Sequence, residues 1–181
     1  MKLEIVNAKE APVSEEDVEA IVTIECHPKV QKWVYEYAYK DLQQERDEYH
    51  AFFCTLPESR EVEVLIAKHG SKVVGFLALW RRGAFMDHVA TIGVSVHPAY
   101  WGKGVATELI YAAVELAKDK GLRRLEAETL AANTAMRRVV ERAGFTLECV
   151  RKNRVLKDGV YHDEAAYVLS LETTGEGEDV G

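Results

Sequence analysis

The chain has 181 residues, 48% of them hydrophobic and 29% charged, with a formal net charge of −7; that length supports one well-filled core. The acidic balance argues against a general nucleic-acid binder, which needs a basic face, and it suits a cationic substrate such as an amine. Cys26, Cys54 and Cys149 are odd in number and far apart, so neither a disulfide framework nor a metal site is expected; no apolar run reaches about eighteen residues, which predicts no membrane span, and Met1–Lys9 lacks an apolar h-region, which predicts a cytoplasmic protein with reduced thiols.

Leu3, Ile5 and Val6 predict a first strand, broken by Pro12. Ser14 with Asp17 three residues on reads as a helix N-cap, with Glu15 and Glu16 in the first turn where negative charge is favoured. Val18, Ile21, Val22 and Glu25 continue at helical spacing, and His27-Pro28 marks a break. From Lys29 to about Cys54 the spacing of Trp33, Tyr37, Tyr39 and Leu42 predicts two helices with a break near Asp47. These aromatics can line a pocket, although amphipathic packing is the ordinary outcome for such a pattern.

Val62–Ile66 and Val73–Leu79 predict two strands joined by a turn at His69-Gly70-Ser71. Arg81-Arg82-Gly83 is a loop, and a third strand runs from about His88 to Val96. Pro98 stops it. Trp101-Gly102-Lys103-Gly104-Val105 follows as a turn, and an apolar stripe of Ala106, Leu109, Ile110, Ala113, Val114 and Ala117 then forms a helix. Such a turn offers free backbone N–H groups and positive dipole potential, which together bind an anion.

Arg124–Leu130 predicts a further strand. Asn133 opens a short helix that ends at Gly144, with Phe145 packing back onto it. Thr146–Leu156 and Val160–Leu171 predict the last two strands, joined at Lys157-Asp158-Gly159. Residues 1–172 then form one domain, and 173–181 read as a disordered, acid- and glycine-rich tail. The element order predicts an α/β fold: a mixed, mostly antiparallel twisted sheet with a central strand–helix–strand crossover and helices on both faces. Ligands bind such sheets at the C-terminal ends of parallel strands, where the glycine turn lies.

Three pieces, in order and spacing, resemble the GNAT superfamily of N-acetyltransferases over roughly Val62–Leu171. Val94-Ser95-Val96-His97-Pro98 resembles the family's strand ending in V-x-P. Trp101–Ala106 falls on the motif Q/R-x-x-G-x-G/A, and Asn133 with Gly144-Phe145 matches the N…GF segment. The resemblance implies the cofactor acetyl-CoA; no metal is expected, since no metal-ligand spacing appears. Backbone N–H groups of Gly102, Lys103, Gly104, Val105, Ala106 and Thr107 would cradle the pyrophosphate, Val94, Ser95 and Val96 would pair with the pantetheine amides, and Asn133 would hydrogen-bond the pantetheine arm. Two departures stand out. Trp101 replaces Gln or Arg, and either stacks on the cofactor or covers the turn. Val140 occupies the position where many members carry the tyrosine that protonates the leaving thiolate, which leaves Tyr161, Tyr167 or water for that task.

Acetyl transfer to an amine needs a base, since alkyl amines are mostly protonated at neutral pH. A backbone N–H near Val94 is the oxyanion donor that the family implies. Glu128 is the first candidate base: it lies on the strand beside the turn, five residues before Asn133, where the subgroup acetylating ribosomal-protein N-termini carries its glutamate. Glu126 lies on the same side of that strand, so the two carboxylates either raise each other's pKa or are solvated or paired with Arg123, Arg124 or Arg151. Asp87 and His88 are weaker rivals. The segment Gly144–Asp163 resembles members that acetylate protein N-termini, polyamines or small amino-compounds. The resemblance thus implies an N-acetyltransferase acting on a primary amine; charge and hydropathy predict no nucleic-acid or membrane partner, and a homodimer is among the open oligomeric states. A catalytically silent acetyl-CoA-binding sensor is the alternative that Val140 sustains.

Overall fold

Alternating apolar residues in the first two long strands face opposite ways and build two cores, one on each face of a single sheet. A computed structural model describes residues 1–37 and 41–171; Tyr39 and the expected tail at 173–181 lie outside them. The strands are β1 (Glu4–Asn7), β2 (Val62–His69), β3 (Lys72–Arg81), β4 (Val89–Val96), β5 (Arg124–Leu130), β6 (Thr146–Lys157) and β7 (Val160–Ser170). The helices are α1 (Glu15–Glu25), α2 (Pro28–Gln31), α3 (Leu42–Thr55), α4 (Val105–Asp119) and α5 (Thr134–Arg142). The seven strands lie in the order β1-β2-β3-β4-β5-β7-β6. Among the described residues only β4 and β5 run parallel; every other neighbouring pair is antiparallel. The expected mixed sheet with its central crossover is therefore the observed one.

Leu65 and Ala67 of β2, with Leu77 of β3, pack beneath α4 against Leu109, Ile110 and Ala113. Val64 and Ile66, with Phe76 and Ala78, face the other way onto α1 and onto Phe52 and Phe53 of α3. Full burial of a side chain such as Leu109 or Ile110 contributes roughly 1.5–3 kcal/mol.

Local chemistry sets the helix ends. Ser14 and Asp17 form a complete capping box at α1. Gly144 (φ 94°) closes α5 in the left-handed conformation, and Phe145 is buried against the core. The expected break near Asp47 is not there. Asp41 accepts from the N–H groups of Gln43 and Gln44 and starts α3, which runs unbroken through Asp47 to Thr55. The interruption falls instead after α2, so Trp33, Tyr35 and Tyr37 lie on a non-helical connection. Among the described residues, no helix is long and apolar enough to cross a membrane.

Candidate functional site

β4 and β5 stay paired only from Val89–Arg124 to Ile92–Ala127. Beyond that point β4 follows β3, with Val94 opposite Leu77 and Ser95 opposite Phe76, while β5 follows β7, with Glu128 opposite Ala166. The sheet therefore splits. The N–H of His97 donates to the carbonyl of Val74 on β3 (2.9 Å), so by alternation Ser95 and Gly93 also face β3, whereas Val94 and Val96 turn their main-chain groups toward the split. Trp101 closes part of that edge: its indole N–H donates to the Val96 carbonyl at 2.7 Å. Val94 keeps both its N–H and its C=O without a strand partner among the described residues.

The turn after β4 supplies donors. His97 Nδ1 accepts from Ala99 N–H (3.2 Å) and caps a single 3₁₀ turn at Pro98–Tyr100. Gly102 (φ 73°) and Gly104 (φ 85°) adopt left-handed conformations that favour glycine. Gly104 caps α4 without a side chain, and the first intrahelical donor is Glu108 N–H. The N–H groups of Val105, Ala106 and Thr107 thus have no intrahelical acceptor and point along the positive end of the helix dipole. A Cβ on Gly102 or Gly104 would meet no atom within 4 Å, so the space above the turn is open. Lys103 departs from the expected cradle. Its N–H donates to Tyr100 O (3.3 Å), and its ammonium sits 5.1 Å from the centre of the Tyr100 ring.

One cleft of about 640 Å³ joins these parts; Val94, Ser95, Val96, Gly102, Gly104, Val105, Ala106, Thr107, Glu128 and Asn133 all line it. Asn133 caps α5, its Oδ1 accepting from Met136 N–H at 3.2 Å. Leu125 and Ala127 point into the core beneath α4, so Glu126 and Glu128 face the opposite side, toward α1. Glu128 Oε1 accepts from Arg151 at 2.6 Å, and the same guanidinium nitrogen reaches Glu164 at 2.5 Å. Glu126 does not act with Glu128. Burial opposes its charge, but hydrogen bonds from Arg124 (2.8 Å) and Arg82 (3.2 Å) outweigh this and hold its carboxyl below the ordinary glutamate range. Asp87 and His88 precede β4, at the end of the strand opposite the turn, and line no part of the cleft.

The tyrosines expected to replace Val140 are committed or distant. Tyr161 is exposed and outside the cleft. Tyr167 reaches the cleft, but its hydroxyl accepts from Arg137 Nε and donates to Glu141, both at 2.8 Å. Val140 itself lines the cleft with Met136 and Val139, an apolar stretch without a proton donor.

Besides Glu128, three carboxylates line the cleft that the sequence did not single out as site residues: Glu25, Glu36 and Glu48. Glu25 ends α1 with only 5% of its surface exposed, and it accepts a short hydrogen bond from the Tyr37 hydroxyl. Burial pushes its carboxyl above the ordinary range; Tyr37 and the nearby Ser95 hydroxyl oppose that shift, and the charge of Glu45 adds to it. No donor reaches hydrogen-bonding geometry on its Oε2 among the described residues. Glu36 is raised as well, by burial and then by the charges of Glu128, Glu25 and Glu164. The available signal was Glu25 itself, a charge on the apolar face set by Ile21 and Val22. Tyr35 donates to Glu164 at 3.0 Å, and Lys157 Nζ donates to the carbonyls of Gln31, Lys32 and Val34. The aromatic connection is thus a wall of the cleft, and the pocket alternative replaces simple helical packing.

Comparison with known proteins agrees with this fold. The family model described as "Acetyltransferase (GNAT) domain" matches residues 11–146. A Bacillus subtilis (strain 168) protein, named as a putative N-acetyltransferase for the alanine of ribosomal protein bS18, is 24% identical over 80% of this chain and 84% of its own. An N-acetyltransferase from Staphylococcus aureus Mu50 shares the fold with a TM-score of 0.79, at 24% identity over 95% of this chain and 100% of its own. The structure of yncA from Salmonella typhimurium, described as a putative acetyltransferase with its cofactor acetyl-CoA, has a TM-score of 0.76 at 20% identity, covering 98% of this chain and 99% of its own.

Proposed function

The chain belongs to the GNAT family of acetyltransferases, and from that premise we propose that it moves the acetyl group of acetyl-CoA onto a primary amine in the cleft where β4 and β5 part. One observation carries the reading: the unpaired main chain of Val94 and the uncapped N-terminus of α4 open into the same cleft. An extended amide-bearing arm can add to the free edge of β4, and a pyrophosphate can take the N–H groups of Gly104–Thr107. These residues fit acetyl-CoA because the space over both glycines is open; yncA, with its acetyl-CoA, offers a parallel in fold.

When bound, acetyl-CoA supplies an activated acyl carbon and a thiol leaving group. Val94 N–H is the main-chain donor available to an acyl oxygen as charge develops on it. Glu128 takes the proton of the amine, directly or through a water, with Arg151 fixing the carboxylate by its Oε1. Val140 provides no acid, so the proton needed on that side comes from water. Acceptors of this description include a protein N-terminus, a polyamine or a small amino-compound.

Thiol release from acetyl-CoA across a panel of polyamines, small amines and peptides with free N-termini tests the reading. Amine-dependent release is expected. A silent acetyl-CoA-binding module is the competing reading, favoured by Val140. Tight cofactor binding without release on any amine would establish it instead.

A further inference from the structure

We infer that the acceptor carries a second ammonium, one that does not react, and that Glu25 receives it. The inference rests on the amine acetylation proposed above and narrows its substrate class.

Glu25 is a buried carboxylate that keeps one oxygen without a donor in hydrogen-bonding geometry, although the Ser95 hydroxyl lies beside it. Tyr37 serves one oxygen, while Oε2 has no donor among the described residues. A buried acceptor without a partner is costly and uncommon, and in a binding cleft it marks a place where a ligand brings the missing donor. An ammonium brings both the donor and the compensating charge, in the stronger, charge-assisted form.

The position fits a substrate that bridges two stations. The Ser95 hydroxyl lies by Glu25, so Glu25 packs against β4 one residue from Val94. Glu128 projects from β5 on the same face of the sheet, across the split. The reacting nitrogen must lose its proton before it attacks, which is the task of Glu128. That nitrogen therefore cannot serve Glu25 as an ammonium during transfer, and a simple monoamine leaves Glu25 as it stands now.

The surroundings select for positive charge. Glu36 shares the cleft, and its carboxyl feels Glu128, Glu25 and Glu164. Arg151 is engaged by Glu128 and Glu164. The rings of Tyr37 and Tyr49 also line the cleft by Glu25, offering the aromatic faces on which an ammonium rests favourably. The chemistry is shared by a short α,ω-diamine and by a peptide whose first residues carry a lysine.

A charge series on the whole protein tests this. Acetyl transfer is measured with α,ω-diaminoalkanes of several lengths, the matching amino-alcohols and the matching amino-acids, and with Ala-Lys against Ala-Ala peptides to separate the two sources. The best diamine or the Ala-Lys peptide should exceed its neutral counterpart in kcat/KM by roughly 10- to 100-fold, as one charged hydrogen bond allows, and the anionic counterparts should be poorest. In Glu25→Gln that ratio should fall to within about threefold, carried mainly by KM. Glu25→Asp, which keeps the charge but shortens its reach, should give an intermediate ratio and serves where the glutamine variant fails to bind acetyl-CoA. Equal use of charged and neutral acceptors by the wild type overturns the inference while acetyl transfer stands. A preference that survives in Glu25→Gln overturns the assignment to Glu25. Bound acetyl-CoA with no transfer to any amine overturns the reading beneath it.

Discussion

Replacing Gly104 separates two roles of one residue. Its backbone sits at φ 85°, ψ 0°, and an added Cβ meets nothing within 4 Å. Gly104→Ala therefore carries only the left-handed backbone cost, about 1 kcal/mol, which lowers the melting temperature by about 2–4 °C in a chain of this size. Gly104→Glu has the same backbone cost and sets a carboxylate over the donors of α4. At a separation of about 6 Å and an effective dielectric near 20, each like charge on a bound pyrophosphate costs about 2.8 kcal/mol, a hundredfold in affinity. With acetyl-CoA at about 100 times the wild-type Kd, ligand stabilisation is about 2.7 kcal/mol; a hundredfold weaker site retains only about 0.4 kcal/mol. Thermal denaturation with and without acetyl-CoA reads both effects. The two variants should melt alike without ligand, and only Gly104→Glu should lose nearly all of the ligand-induced rise. A full wild-type rise in Gly104→Glu would show that the turn is purely structural and refute the anion cradle.

Glu128→Gln should lower kcat by roughly 10²- to 10⁴-fold with acetyl-CoA affinity intact; wild-type rates across a pH series would remove Glu128 as the base. Glu25→Gln should change how stability depends on pH. Burial raises the Glu25 carboxyl above its reference of 4.5, so the protonated form adds stability below that reference, and this stability is lost as pH rises through the folded value. The variant should match the wild type in denaturant unfolding near pH 4 and exceed it by about 1–3 kcal/mol once Glu25 is ionised; a difference that does not vary with pH would contradict this. Arg151→Gln leaves Glu164 without the nearest of its cations, and Arg154 remains 3.8 Å away. Since Arg151 is 38% exposed, the 3–5 kcal/mol typical of a broken buried pair is reduced here to about 1–2 kcal/mol. Unchanged unfolding would place the pair among surface contacts of no measurable weight.

Most of the sheet was legible because its strands obey the alternation that burial on one or both faces imposes. β5 begins and ends where its pattern does, and Asn133, Gly144 and Phe145 announce the ends of α5 by their own backbone chemistry. The turn after β4 was legible for another reason: two glycines mark its left-handed backbone, and the strand before it outruns its partner. The break placed at Asp47 failed because tyrosines at alternate positions blur the helical period, while the true start of α3 is marked by Asp41, a cap without an apolar staple. The opposite wall of the cleft was legible only in part. Glu128 and its pairing with Arg151 could be read from the chain, but Glu25, Tyr37 and Glu164 join them only after five elements have packed, and no spacing in the chain encodes that meeting. Trp101 was visible but unreadable, since its bond to Val96 depends on how the turn folds back on the strand.

Lys157, at the end of β6, binds the carbonyls of Gln31, Lys32 and Val34, and Tyr35 reaches 129 residues along the chain to Glu164. The two halves of the cleft therefore differ in how far apart their pieces lie in sequence. Strand β4, the glycine turn, α4 and β5 form one continuous stretch, which closes early and cheaply in loop entropy. The wall formed by Trp33–Tyr37 needs the first quarter of the chain tied to its last hairpin, the kind of closure that forms late and opens first. Hydrogen exchange should accordingly be faster along Gln31–Tyr37 than along β4. A partly opened molecule of this kind keeps the glycine turn and the start of α4 in place while the opposite wall of the cleft is undone.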